Sequence, residues 1–189
     1  MENNVVNKKS TKRLLLLVDV QYDFINGSLA VDGAPAVLDN LAKYIAEQPK
    51  GTFDIIVMTA DYHPYEHSSF KVNGGIWPVH CVAYTAGTAL PMELLRAARS
   101  YEVALKGQSP EREEYGAFAD GKPLSSIVEA EEVVVCGIAG DYCVGETLRN
   151  IVKMRGSSEG VKAYWNGTAF FDGGIRYSEI LAELGVERW

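Results

Sequence analysis

The chain is poor in several features that would each point to a class of protein. It has three cysteines among 189 residues, Cys81, Cys136 and Cys143, with none at CxxC spacing. That argues against a disulfide framework or a cysteine-rich zinc ribbon, and fits a reducing, cytoplasmic setting. Long apolar runs are missing as well. Leu14 to Val18, preceded by Lys8, Lys9, Lys12 and Arg13, imitates the start of a signal peptide, but Asp19 stops the run. It is too short for a signal h-region and far too short for a membrane span. An excess of basic residues is lacking too: the formal net charge is −7. No nucleic-acid partner is expected, because a phosphate-backbone binder needs the opposite field. Histidine is scarce, and all three, His63, His67 and His80, fall close together.

What is present reads as a globular α/β protein. Hydrophobic content of 47% and charged content of 23% are ordinary for one well-buried core. Residues 1–12 are polar and aperiodic and are expected to form a flexible tail, with one domain over 13–189. Leu14–Val20 reads as a strand buried on both faces, with further strands over Phe53–Thr59, Val103–Lys106, Glu132–Ile138 and part of Val161–Phe171. Helical spacing appears at Val37, Leu38, Leu41, Tyr44 and Ile45, and at Val144, Leu148, Ile151 and Val152. Pro91 and Pro123 are placed to start helices over Met92–Ala98 and Leu124–Val128. Tyr177–Leu184 reads as a last helix stopped by Gly185. The alternation predicts βαβ units and a three-layer sandwich, a mostly parallel sheet between helices.

Ligands of such sheets bind at the carboxyl ends of the strands. Asp19, Thr59 to Asp61, Lys106 and the loop Gly137 to Cys143 all fall there. Asp19 is either a partly buried carboxylate fit for proton transfer or an Asx-turn cap. Lys106 closes an apolar run, so its ammonium needs a partner, and Asp19 or Cys143 would serve. Cys143 comes where a helix begins, and amide hydrogens there favour a thiolate. The alternative is a small buried hydrophobe. Asp61, His63 and His80 are a donor set suited to zinc, iron or manganese, with Asp61 and His63 on one side of an extended segment. His67 is less clear, because Pro64 opposes a helix that would align it with His63. Trp77 sits in a loop where it could wall a pocket for a flat ring.

The motifs VDVQYDF (18–24), TADYHPYEH (59–67), WPVHC (77–81), KG (106–107), YGAF (115–118) and GIAGDYCV (137–144) occur in order from residue 14 onward. Together they resemble the nicotinamidase branch of the isochorismatase-like hydrolases. The resemblance implies a cysteine hydrolase with a triad of Asp19, Lys106 and Cys143, and an oxyanion hole from the amides of Ala139 and Cys143. It implies a cis peptide between Ile138 and Ala139, and one divalent metal, zinc in the first instance, on Asp61, His63 and His80. His67 contacts the metal in some members and not in others. Phe24, Trp77, Tyr115 and Ile138 would touch the substrate, a small heteroaromatic amide.

The implied reaction is hydrolysis of nicotinamide, and of pyrazinamide, to the acid and ammonia in NAD salvage. The resemblance also suggests a homo-oligomer and no membrane. Three other readings stand beside it: a related cysteine amidohydrolase acting on another amide or ureido compound, isochorismate-type ether cleavage, and a non-catalytic module of the same fold.

Overall fold

The structure is a computed structural model and describes residues 12–120 and 125–189. The expected N-terminal tail, apart from Lys12, lies outside the described residues, as do Pro123 and Leu124 of the fourth expected helix.

Six strands form one parallel sheet: β1 (Arg13–Val18), β2 (Ile55–Asp61), β3 (Glu102–Lys106), β4 (Glu132–Ile138), β5 (Val161–Ala169) and β6 (Glu187–Arg188). Their order is β3-β2-β1-β4-β5-β6. The chain therefore winds outward from β1 to β3, crosses back, and winds outward again from β4 to β6. The reversal falls between β1 and β4, the switch point at which open α/β sheets bind ligands.

Period-two alternation divides β1 between two cores. Leu15 and Leu17 pack with Met58, Val134 and Cys136 under α2 (Ala34–Glu47) and α3 (Met92–Ala98). Leu14, Leu16 and Val18 pack with Val57, Val133 and Val135 under α5 (Gly145–Arg155) and α6 (Ile175–Leu184). Both faces of β1 are thus buried, which is why its sequence is continuously apolar. The other α-helices among the described residues are α1 (Tyr22–Ile25) and α4 (Ser125–Glu129).

Several ends differ from the sequence reading. β1 stops at Val18 because Asp19 turns into the left-handed region, φ 51°, a conformation that a short polar side chain tolerates better than a branched apolar one. β2 starts later than expected and runs on to Asp61, where Asp61 pairs in register with Lys106 of β3. Strand β6, of two residues, carries no sequence signal. β4 ends where expected, and α6 ends before Gly185, which is left-handed at φ 63°. Gly137 packs so closely on β1 that a Cβ there would lie 2.0 Å from the Val18 carbonyl oxygen. This close approach brings the end of β4 against Asp19.

Candidate active site

Three strand ends meet around the ammonium of Lys106. Its Nζ is 2.9 Å from Asp19 Oδ2, 2.5 Å from Asp61 Oδ1 and 3.7 Å from Cys143 Sγ, and it also donates to the Glu114 carbonyl at 3.2 Å. The expectation that Lys106 needs a partner is met threefold, and Asp61 is the partner that strand-end reasoning did not supply. Asp19, Asp61 and Cys143 present ligand atoms all within 4.8 Å of one another, and all three side chains are buried.

Thr59 donates its hydroxyl to Asp19 Oδ1 at 2.6 Å, which orients the carboxylate. Asp19 Oδ2, the oxygen not held by Thr59, is paired with the Lys106 ammonium at 2.9 Å. Burial raises the Asp19 carboxyl to about 6, against the opposing pull of Lys106. Burial would also raise Asp61, but Lys106 and His63 more than offset it and hold that carboxylate well below its usual range. The Cys143 thiol is pushed up by burial, with Lys106 opposing. A buried thiol of this kind needs a base next to it, and Asp19 lies within reach.

Cys143 does not sit at the first residue of a plain α-helix, as its sequence context suggested. Gly140–Val144 form a single π turn leading into α5, with Ala139 as its cap. The Ala139 carbonyl accepts from the amides of Tyr142 (3.1 Å) and Val144 (3.0 Å). In a regular α-helix that oxygen would accept from Cys143. The wider turn passes this oxygen to Val144 and leaves the Cys143 amide out of that bond. The peptide between Ile138 and Ala139 is cis.

Beside this cluster, ligand atoms of Asp61, His63 and His80 also lie within 4.8 Å of one another. His63 Nδ1 bonds the Gly107 carbonyl and His80 Nδ1 bonds the Pro78 carbonyl, each at 2.8 Å. Both Nδ1 atoms must therefore carry a proton, so in the neutral rings the lone pair sits on Nε2. A carboxylate and two imidazoles so oriented fit a divalent metal of the zinc type. His67 is arranged differently. Its ring lies 4.1 Å from that of His63, but Nδ1 pairs with Ser69 Oγ at 2.7 Å and Nε2 with the Arg112 carbonyl at 3.1 Å. Both of its nitrogens thus have protein partners, while its ring packs against that of His63.

A narrow slot opens onto Cys143 and is lined by Phe24, Leu29, Trp77, Tyr115, Tyr142 and Phe171, among others. Trp77 Nε1 donates to Tyr115 Oη at 2.9 Å, which fixes both rings. Phe24, Trp77 and Tyr115, expected to touch a substrate, line this slot. The Ile138 side chain, of which the same was expected, is fully buried in the core and is not among the residues lining the slot. Side chains alternate along β4, and the residues that reach the slot come after the strand has ended, at Ala139, Tyr142 and Cys143.

Sequence reasoning missed Gln21, Asp141 and Phe171. Gln21 is fully buried, and its amide accepts from the Asp61 backbone nitrogen (2.8 Å) while donating to the Asp61 and Thr88 carbonyls (both 2.9 Å). It continues the β1–β2 pairing past the end of β1 and clamps Asp61. The VDVQ motif held that residue, but nothing in its spacing indicated the role.

Comparison with known proteins agrees with the geometry. The Isochorismatase domain matches residues 13–154. The nicotinamidase/pyrazinamidase of Mycobacterium tuberculosis is 35% identical over 151 residues, covering 75% of this chain and 79% of that protein. The structure of PnC1 from L. infantum in complex with nicotinate superposes with a TM-score of 0.80 at 32% identity, covering 95% of this chain and 92% of that one. The pyrazinamidase of Pyrococcus horikoshii in complex with zinc gives 0.79 at 28% identity, covering 94% and 98%. A reversal of strand order between β1 and β4, a thiol, carboxylate and ammonium at that point, and these likenesses together place the chain in the isochorismatase family.

Proposed function

We propose that the protein is a nicotinamidase, hydrolysing nicotinamide, and pyrazinamide as well, to the carboxylic acid and ammonia in NAD salvage. The observation that carries this is the grouping of Asp19, Lys106 and Cys143 at the floor of an aromatic slot. The named relatives act on or bind such compounds, which supports the same substrate here.

In this reading Asp19 Oδ2 takes the Cys143 thiol proton, and the sulfur attacks the carboxamide carbon. The oxyanion that forms lies against the amides of Ala139 and Cys143. Loss of one such donor typically costs about 3 kcal/mol, and the π turn supports the role by sparing the Cys143 amide. Asp19 returns the proton to the amide nitrogen, ammonia leaves, and a thioester remains on Cys143. A water then loses a proton to Asp19 and adds to the thioester carbon. Collapse expels the sulfur, which recovers the proton from Asp19 as the acid departs. Lys106 stays protonated throughout and balances the charge on Asp19 and on the sulfur.

Asp61, His63 and His80 would hold one divalent ion, zinc by the nature of the donors. When bound, such an ion supplies a Lewis acid that can hold a ring nitrogen. Phe24, Trp77 and Tyr115 provide flat apolar surfaces for the ring. The cysteine pattern supports a cytoplasmic setting, and among the described residues no helix is long and apolar enough to cross a membrane. The test is to incubate purified protein with nicotinamide, with and without a chelator, and to measure ammonia together with bound metal. Ammonia release that the chelator suppresses is the expected result; no release with metal bound would refute the reading.

A further inference from the structure

Which amides the slot admits is decided in part by a residue outside the motifs, an inference that rests on the aromatic-amide reading above. Phe171 reaches the slot from the segment between β5 and α6. Its ring stacks on Trp77 at 5.8 Å and 29° and meets Tyr142 edge-on at 5.7 Å and 87°. The residue is 42% exposed, so burial alone does not hold the ring in place.

The backbone does. Asp141, 2% exposed, accepts from the Phe171 amide at 3.2 Å and 3.1 Å through its two oxygens, and from the Asp172 amide at 3.1 Å through Oδ2. Asp172 then anchors the following turn: its carboxylate accepts from the amides of Gly174 (2.8 Å), Ile175 (3.1 Å) and Arg176 (2.9 Å) at the start of α6. Phe171 is therefore tied on one side to the turn that carries Cys143 and on the other to a helix start. Asp141 and Cys143 share that turn, so the Phe171 backbone is anchored to the turn that carries the sulfur, while Trp77 and Tyr142 orient the Phe171 ring.

We propose that Phe171 is a specificity-determining wall that restricts the slot to single-ring aromatic carboxamides, and that Asp141 is the positioning residue that holds it there. A ring that merely shielded Trp77 from water would weaken all aromatic ligands alike when removed. A wall would instead reject larger ligands, and its removal would shift the preference between them.

The test uses zinc-loaded protein in a Cys143→Ala background, which removes turnover, and calorimetric titration with nicotinamide and with quinoline-3-carboxamide, its two-ring counterpart. Adding Phe171→Ala should move the ratio of the two affinities toward the two-ring amide by about tenfold or more, the scale on which apolar pockets discriminate. Asp141→Ala should shift the ratio the same way, and Asp141→Asn, which keeps one acceptor oxygen, by less. Phe171 is half exposed and its variant should melt at the wild-type temperature, so the test survives even if the Asp141 variants unfold. A ratio within twofold of the starting protein overturns the proposal, as does failure of both amides to bind either protein. If intact protein releases no ammonia from nicotinamide yet Phe171→Ala shifts the ratio, the hydrolase reading fails and the wall stands; release of ammonia with an unmoved ratio removes the wall alone.

Discussion

Lys106 and Asp19 form an ion pair in which the side chains are 6% and 0% exposed, with Nζ 2.9 Å from Oδ2. The same ammonium lies 2.5 Å from Asp61 Oδ1, so one cation serves two buried carboxylates. Such a group is held in the interior by its partners, and they by it.

Removal of Lys106 should therefore cost more than a surface ion pair. Lys106→Met leaves Asp19 and Asp61 buried without their shared cation, and breaking a buried pair in this way costs about 3–5 kcal/mol. Urea unfolding of the metal-free protein should register that loss, and the variant should show no turnover. A midpoint within experimental error of wild type would contradict the assigned role.

The acid side of the rate profile should belong to the Asp19 cluster. Burial raises this carboxyl to about 6. Below that pH it is protonated and cannot accept the thiol proton, so kcat/KM should fall about tenfold per pH unit as the pH drops. The midpoint is that of Asp19, Lys106 and Cys143 titrating together. A profile flat down to pH 4.5 would show that Asp19 is not the base.

Metal binding should separate the histidines. His80→Ala removes a free Nε2 donor and should lower bound metal sharply, whereas His67→Gln removes a ring whose nitrogens already have protein partners. Elemental analysis after dialysis should find near-wild-type metal in the His67 variant. Equal loss in the two variants would place His67 among the ligands.

Gly107 links the lysine strand to His63, one of the proposed metal donors. It is left-handed at φ 65°, and a Cβ there would lie 2.4 Å from His63 Cε1. Gly107→Ala should destabilise by more than the roughly 1–2 kcal/mol of the left-handed conformation alone. It should also weaken metal binding by displacing the ring that the Gly107 carbonyl orients. A melt unchanged from wild type, with full metal affinity, would show that the loop absorbs the methyl freely.

Much of this arrangement could be read from the chain itself, for identifiable physical reasons. β1 and β4 stand out because strands buried on both faces must be continuously apolar, and Asp19 and the Gly140 to Cys143 segment stand out as the breaks after them. Other parts depend on which strand ends become neighbours. Asp61 joins Lys106 through the β2–β3 register, which a single sequence does not display. The same holds for Asp141 and Phe171, which lie far apart in the chain and meet through backbone hydrogen bonds that leave no periodic trace. The burial of the Ile138 side chain and the hydrogen-bond partners of His67 likewise leave no mark in the spacing of the motifs.

The central claim is that the Cys143 sulfur performs the attack, and it is tested most directly by comparing ammonia release from nicotinamide by wild type and by Cys143→Ala, with metal content measured on the same samples. The account predicts ammonia release by wild type and none above background by the variant, with equal metal in both. Release by the metal-loaded variant at a tenth of the wild-type rate or more would contradict it.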